Sequence, residues 1–156
     1  MYILIIISAF LLSSLTEYIL HRFFLHRSTE VGHIKEHHAK FGGHQSYSNI
    51  HSSYKDILSG TKYIITNIIP YLLVSIYLSF TKIRYGLIFF IVAFIYTIWI
   101  EWSHYVFHHP LNTRLESLKT FKRLSYHHKL HHSYYVINYG IGSRFWDLIF
   151  RSLRTR

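Results

Sequence analysis

The chain has no cysteine in its 156 residues. Disulfides and thiolate metal ligands are therefore both excluded, and any bound metal must be held by imidazole and carboxylate. Acidic residues are nearly as scarce, with Asp+Glu 7 against Lys+Arg 17 and a formal charge of +10. A charge of that sign suits nucleic acid, but the aromatic–basic interleaving of a nucleic-acid module is missing. The positive residues flank apolar segments instead, which fits anionic lipid headgroups, so no nucleic-acid partner is expected. The first twenty residues lack a basic n-region and no small-residue cleavage site follows, which argues against a removable signal peptide.

Apolar blocks take the place of these missing features. Hydrophobic residues make up 50% of the chain and aromatics 19%. They concentrate in Met1–Leu20, Tyr63–Phe80 and Tyr85–Trp102, each close to the roughly 20 residues that cross a bilayer as a helix. The expected fold is all-α and integral to the membrane, a single domain over 1–156. Its membrane helices fall at about 1–20, 63–80 and 85–102, and a histidine-bearing helical cap is formed by 21–62 and 103–156. The second and third blocks form a hairpin whose ends emerge on one side, and Pro70 should kink the second block. The alternative is a buried helical hairpin in a soluble protein.

Between the blocks, Gly32, Gly42 and Gly43 predict short helices joined by turns. Thr113-Arg114-Leu115-Glu116 has the spacing of a capping box. The helix it opens carries Leu115, Leu118 and Phe121 on one face and is expected to run on into His127–His132. It lies either in the membrane interface or as an ordinary solvated helix on its own domain. A glycine turn and a short aromatic-rich helix follow over 138–150. Six Lys/Arg fall in 22–62 and nine in 111–156, against two at the hairpin tip and none before the first helix ends. The positive-inside rule then puts both parts of the cap on the cytoplasmic side.

The 14 histidines sit in two banks, with none in the first twenty positions and none between His51 and His104. Residues three or four apart share a helix face, and His33/His37, His104/His108 and His128/His131/His132 follow that spacing. His21 and His26 are five apart, so a helix must end or distort between them. The boxes contribute His21 and His26; His33, His37 and His38; His104 and His108; and His128, His131 and His132. That set is too large for one ion and suits two, and imidazole suits iron, zinc, copper and nickel. Glu17 lies four residues before His21 and Glu101 three before His104. Both are expected to offset metal charge and fix imidazole tautomers from behind the ligands, with Asn138 and Asp147 as further candidates. His44, His51, His109 and His127 fit the spacing less well, His109 and His127 being the nearest substitutes.

These boxes resemble those of the fatty acid hydroxylase / sterol desaturase superfamily of integral-membrane di-iron enzymes, from about Glu17 to Phe150. Glu17-Tyr-Ile-Leu-His21-Arg-Phe-Phe-Leu-His26 looks like its first box and His33-Ile-Lys-Glu-His37-His38 like its second. His104-Tyr-Val-Phe-His108 is similar to the third and His128-Lys-Leu-His131-His132 to the fourth. Asn138-Tyr-Gly-Ile-Gly-Ser-Arg-Phe-Trp-Asp147 is similar to the segment that follows the last box. The second box has three residues between its first two histidines where two is frequent, which sets His33 apart.

The resemblance implies two iron ions, O2 as co-substrate and a lipid substrate. No cytochrome b5-like domain is fused within the chain, so it also implies a separate electron donor, cytochrome b5-like or ferredoxin-like. Zinc can replace iron in recombinant protein. The leading substrate is a fatty acyl or sphingolipid chain, followed by a carotenoid ring and then by sterol or lipid desaturation. A reading from another class is a non-enzymatic metal-binding membrane protein. Breaking an unactivated C–H bond requires a redox-active metal, and zinc has no redox chemistry.

Overall fold

The structure is a computed structural model and describes residues 1–26, 33–42, 47–48, 51–57 and 60–156. Its described residues are helical, without a strand. Helix α1 (Tyr2–Ile19) passes directly into a π-helical turn, π1 (Leu20–Leu25). A second, π2 (His33–His38), runs into the short α2 (Ala39–Phe41). After α3 (Tyr54–Ile57), α4 (Gly60–Ser79) and α5 (Ile83–His108) form the expected hairpin across a tight turn. The chain then makes a 3-10 turn (Leu115–Ser117), α6 (Lys119–Tyr134) and α7 (Phe145–Ile149).

α5 packs against both α1 and α4. Small residues let these backbones approach closely, as membrane helices require: Ala9 and Ala93 are fully buried in a core with Ile5, Tyr71 and Phe89. A Cβ on Gly86 would overlap the Ser75 carbonyl of the facing helix. The outward faces are apolar as well. Ile3, Leu4 and Ile7 of α1, Ile69, Leu72 and Leu73 of α4 and Ile91, Ile95 and Ile98 of α5 are all exposed. Soluble monomers rarely present so continuous an apolar surface, and a hairpin buried in a soluble core would hide it.

Two helices are long and apolar enough to cross a membrane, Tyr2–Leu25 (mean hydropathy 2.1) and Ile83–His108 (2.0); Tyr63–Ser79 is a shorter apolar helix. One expected boundary needs correction, and one helix runs longer than its apolar block. Helix α5 runs on past the apolar block that ends at Trp102 as far as His108, so the third box sits on that same helix. Its 26 residues are about 39 Å long, against a hydrocarbon core of about 30 Å. The helix is thus longer than such a core by about 9 Å. The capping-box residues do not open α6. Glu116 accepts from the Thr113 N–H (2.6 Å) and hydroxyl (2.8 Å), which closes the 3-10 turn. Leu118 is then extended, with ψ 137°, and the long helix begins at Lys119.

A candidate two-metal centre of histidines

The two π-helical turns explain the awkward spacings. A π-helix bonds i to i+5 and appears as single turns, frequently at functional sites. Residues five apart come onto one face there, and the His21 and His26 rings lie 4.9 Å apart. The same turn in π2 puts His38 5.0 Å from His33, while His37 stacks on His33 at 5.0 Å. α5 supplies His104 and His108 one turn apart. α6 supplies His128, His131 and His132, all buried.

These rings gather into two groups that cut across the boxes. His37, His104, His108, His128 and His132 bring their ligand atoms within 4.8 Å of one another, and so do His21, His26, His38 and His131. The second and fourth boxes each serve both groups; the first and third serve one each. The groups adjoin, since the His38 and His132 rings stack at 4.2 Å. His33 belongs to neither group. Its ring stands against His21 (5.2 Å) and His37 (5.0 Å), and its buried Nε2 has no hydrogen-bond partner among the described residues.

Backbone carbonyls fix three of the rings. The Nδ1 of His21 meets Tyr139 O at 2.5 Å, that of His108 meets Tyr47 O at 2.8 Å, and that of His131 meets Ile137 O at 2.7 Å. A carbonyl only accepts, so each of these Nδ1 atoms carries the proton and each Nε2 presents a bare lone pair. Yet His26 Nε2 lies 3.1 Å from His21 Nε2, 3.0 Å from His131 Nε2 and 3.2 Å from His38 Nε2. One proton on His26 satisfies only one of these contacts. A cation at the centre satisfies them all, and imidazole–metal bonds of about 2.1 Å at right angles put neighbouring nitrogens about 3.0 Å apart. The other group shows the same separations, with His104–His37 at 3.1 Å, His108–His128 at 3.2 Å and His132–His128 at 3.1 Å between Nε2 atoms. Both donor sets fit a metal ion.

Electrostatics agree. Burial first, and repulsion between neighbouring imidazoles second, hold His33, His128, His131 and His132 well below the ordinary histidine range and bring His26 down to about 4. These rings are neutral at physiological pH, the form that ligates metal.

The carboxylates stand one layer further back than expected. Asp147 accepts from the backbone N–H of Tyr139 (2.8 Å) and Gly140 (2.8 Å). Glu17 accepts from the next two, Ile141 and Gly142 (3.1 Å), and from the Tyr96 hydroxyl (2.6 Å). Glu17 thus fixes the loop whose Tyr139 carbonyl orients His21. Glu101 is half-buried and lines an apolar groove of about 480 Å³ with Tyr54, Phe94 and Trp102. Asn138, at φ 56°, accepts from the Arg154 N–H (2.7 Å) and donates to the His127 carbonyl (3.2 Å).

Of the remaining histidines, His127 points away from both groups and meets Asp147 Oδ2 through Nε2 at 3.0 Å. His109 stacks on Tyr105 (5.0 Å), His51 is exposed, and His44 lies outside the described residues. Sequence reasoning missed Tyr47, Ile137, Tyr139 and Tyr96. The first three act through main-chain carbonyls, which leave no residue-type signal.

The family model for fatty acid hydroxylase matches residues 6–152, which includes every one of these side chains. The chain belongs to the fatty acid hydroxylase family. Hydroxylation is an oxidation, so membership implies oxidoreductase activity on a lipid. No curated protein and no solved structure matches the chain. In this hydroxylase-family protein the matched region begins within α1 and ends just after α7.

Proposed function

We propose that the protein is a membrane-bound di-iron oxygenase that hydroxylates a C–H bond of a fatty acyl or sphingolipid chain, using O2 and a separate electron-donor protein. The observation that carries this reading is the pair of adjoining, buried imidazole groups at the ends of apolar helices. His37, His104, His108, His128 and His132 would hold one ion, and His21, His26, His38 and His131 the other. His33 is the tenth ligand in this reading, at the boundary between them. When bound, such a metal pair supplies the redox capacity to use O2 against an unactivated C–H bond, which zinc does not. The balance is C–H to C–OH with the second oxygen leaving as water, at the expense of two electrons and two protons.

The chain's own residues provide position and exclusion. The carbonyls of Tyr47, Ile137 and Tyr139 aim three rings inward. Phe41 lies against His37 and His108 at 5.1 and 4.5 Å, and its burial keeps water off that side. The groove lined by Phe94, Ile98, Trp102 and Tyr105 runs along α5 to the axial level of His104, so an alkyl chain can approach without leaving apolar surroundings. The lysine and arginine distribution supports a cap on the cytoplasmic side. The test is lipid mass spectrometry of cells with and without the protein. A gain of one oxygen in a lipid species is expected. A loss of two hydrogens would make the protein a desaturase, and an unchanged lipid profile would remove the oxygenase reading.

A further inference from the structure

Two cavities lie on the side of α6 away from the histidine groups. One, of about 390 Å³, is lined by Trp99, Leu115, Leu118, Phe121 and Leu124 together with Arg123 and Arg144. The other, of about 370 Å³, is lined by Lys122, Arg123, Arg144 and Arg154 with Tyr126 and His127. Arg123 and Arg144 are common to both, so an apolar trough opens directly onto a cationic one. Neither lining includes an acidic residue. Asp147, the carboxylate beside His127, is already shared among His127, two backbone N–H groups and the Ser152 hydroxyl. Arg144 Nε is buried and has no hydrogen-bond partner among the described residues.

We infer that these cavities form one binding site for an anionic phospholipid. Its phosphate would sit among Lys122, Arg123, Arg144 and Arg154, and an acyl chain would lie in the Trp99–Leu118–Phe121 trough. Charge complementarity commits the cationic half to an anion, and the adjoining apolar half commits that anion to an amphiphile. The location agrees: Trp99 lies on the membrane helix α5 about 14 Å before its end, and Leu115 and Leu118 expose apolar side chains at the same edge. Basic pockets beside membrane helices are where anionic headgroups bind. Because Lys122 and Arg123 open the helix that carries His128, His131 and His132, an occupant would brace α6 from behind without touching a ligand. The site is separate from the oxidation reading and is tested by binding alone.

The protein is purified in non-ionic detergent with phosphatidylcholine, and its thermal unfolding is followed as phosphatidylglycerol is added. A saturable rise in Tm is expected with phosphatidylglycerol and not with an equal addition of phosphatidylcholine. Arg123→Gln with Arg144→Gln should weaken that titration by about thirty-fold, at the energy typical of two basic side chains facing an anionic headgroup. Lys122→Gln with Arg154→Gln, two exposed changes, should weaken it comparably and serves where the first pair fails to fold. No preference over phosphatidylcholine, or an unchanged titration in the foldable variant, would overturn the proposal. Inorganic phosphate or soluble polyglutamate matching the phosphatidylglycerol effect would overturn it too, assigning the cavity to a free anion or an acidic protein.

Discussion

Glu17 and Asp147 divide one loop between them. Asp147 accepts the N–H groups of Tyr139 and Gly140, and Glu17 accepts those of Ile141 and Gly142. Four consecutive backbone donors are thereby satisfied by two fully buried carboxylates, one from α1 and one from α7. The loop in turn presents the Tyr139 carbonyl to His21.

Removing either carboxylate should therefore weaken metal binding without removing a ligand. Groups behind metal ligands typically contribute 10–100-fold in affinity. Asp147→Ala or Glu17→Ala is expected to lose metal to a chelator about that much more readily than the parent protein. Competition with a chromogenic chelator measures it, and affinity unchanged in both variants would separate this loop from the centre.

Gly140→Ala tests the same loop sterically. An added Cβ would overlap the Ser143 carbonyl and come within 2.9 Å of Asp147 Oδ2. Overpacking of this kind costs about 1–3 kcal/mol, so thermal unfolding should shift downward. Gly42→Ala should also be destabilising, since its Cβ would meet the His38 carbonyl at 2.5 Å.

Much of this arrangement can be read in the sequence, and the limits have physical causes. Three apolar blocks and four histidine boxes give the helices and the ten candidate rings directly. The interval of five between His21 and His26 reads as a distortion, and π1 is that distortion. The grouping is not readable, because His37 and His38 are neighbours in sequence yet serve different groups. The helical spacing of His104 and His108 does continue α5 beyond Glu101, and Ser103, His104, Phe107 and His108 are all buried there. The expectation that Glu17 works directly behind an imidazole misses the intervening backbone, since a carboxylate reveals its charge in sequence but not its partner.

The absence of cysteine makes topology directly measurable. Single substitutions Thr81→Cys at the hairpin tip and Ser117→Cys in the cap, both at exposed positions, introduce unique thiols. In sealed vesicles of known orientation, an impermeant maleimide should label Ser117→Cys from the cytoplasmic face and Thr81→Cys from the opposite face. Labelling of both from one face would contradict the spanning hairpin.

Metal removal should destabilise the fold, since an ion bound only by the native state at 100 times its Kd contributes about 2.7 kcal/mol. Chelator-stripped protein is expected to unfold at a lower temperature and to recover on adding ferrous iron. An identical Tm before and after stripping would mean that the histidine groups stand without a metal.

Iron stoichiometry tests the two-metal centre most directly. Protein purified from iron-supplied cells should carry two irons per chain, and the double variant His104→Ala with His131→Ala, which removes one ring from each group, should lose them. A parent protein with a single iron, or a folded double variant that keeps both, would contradict the assignment.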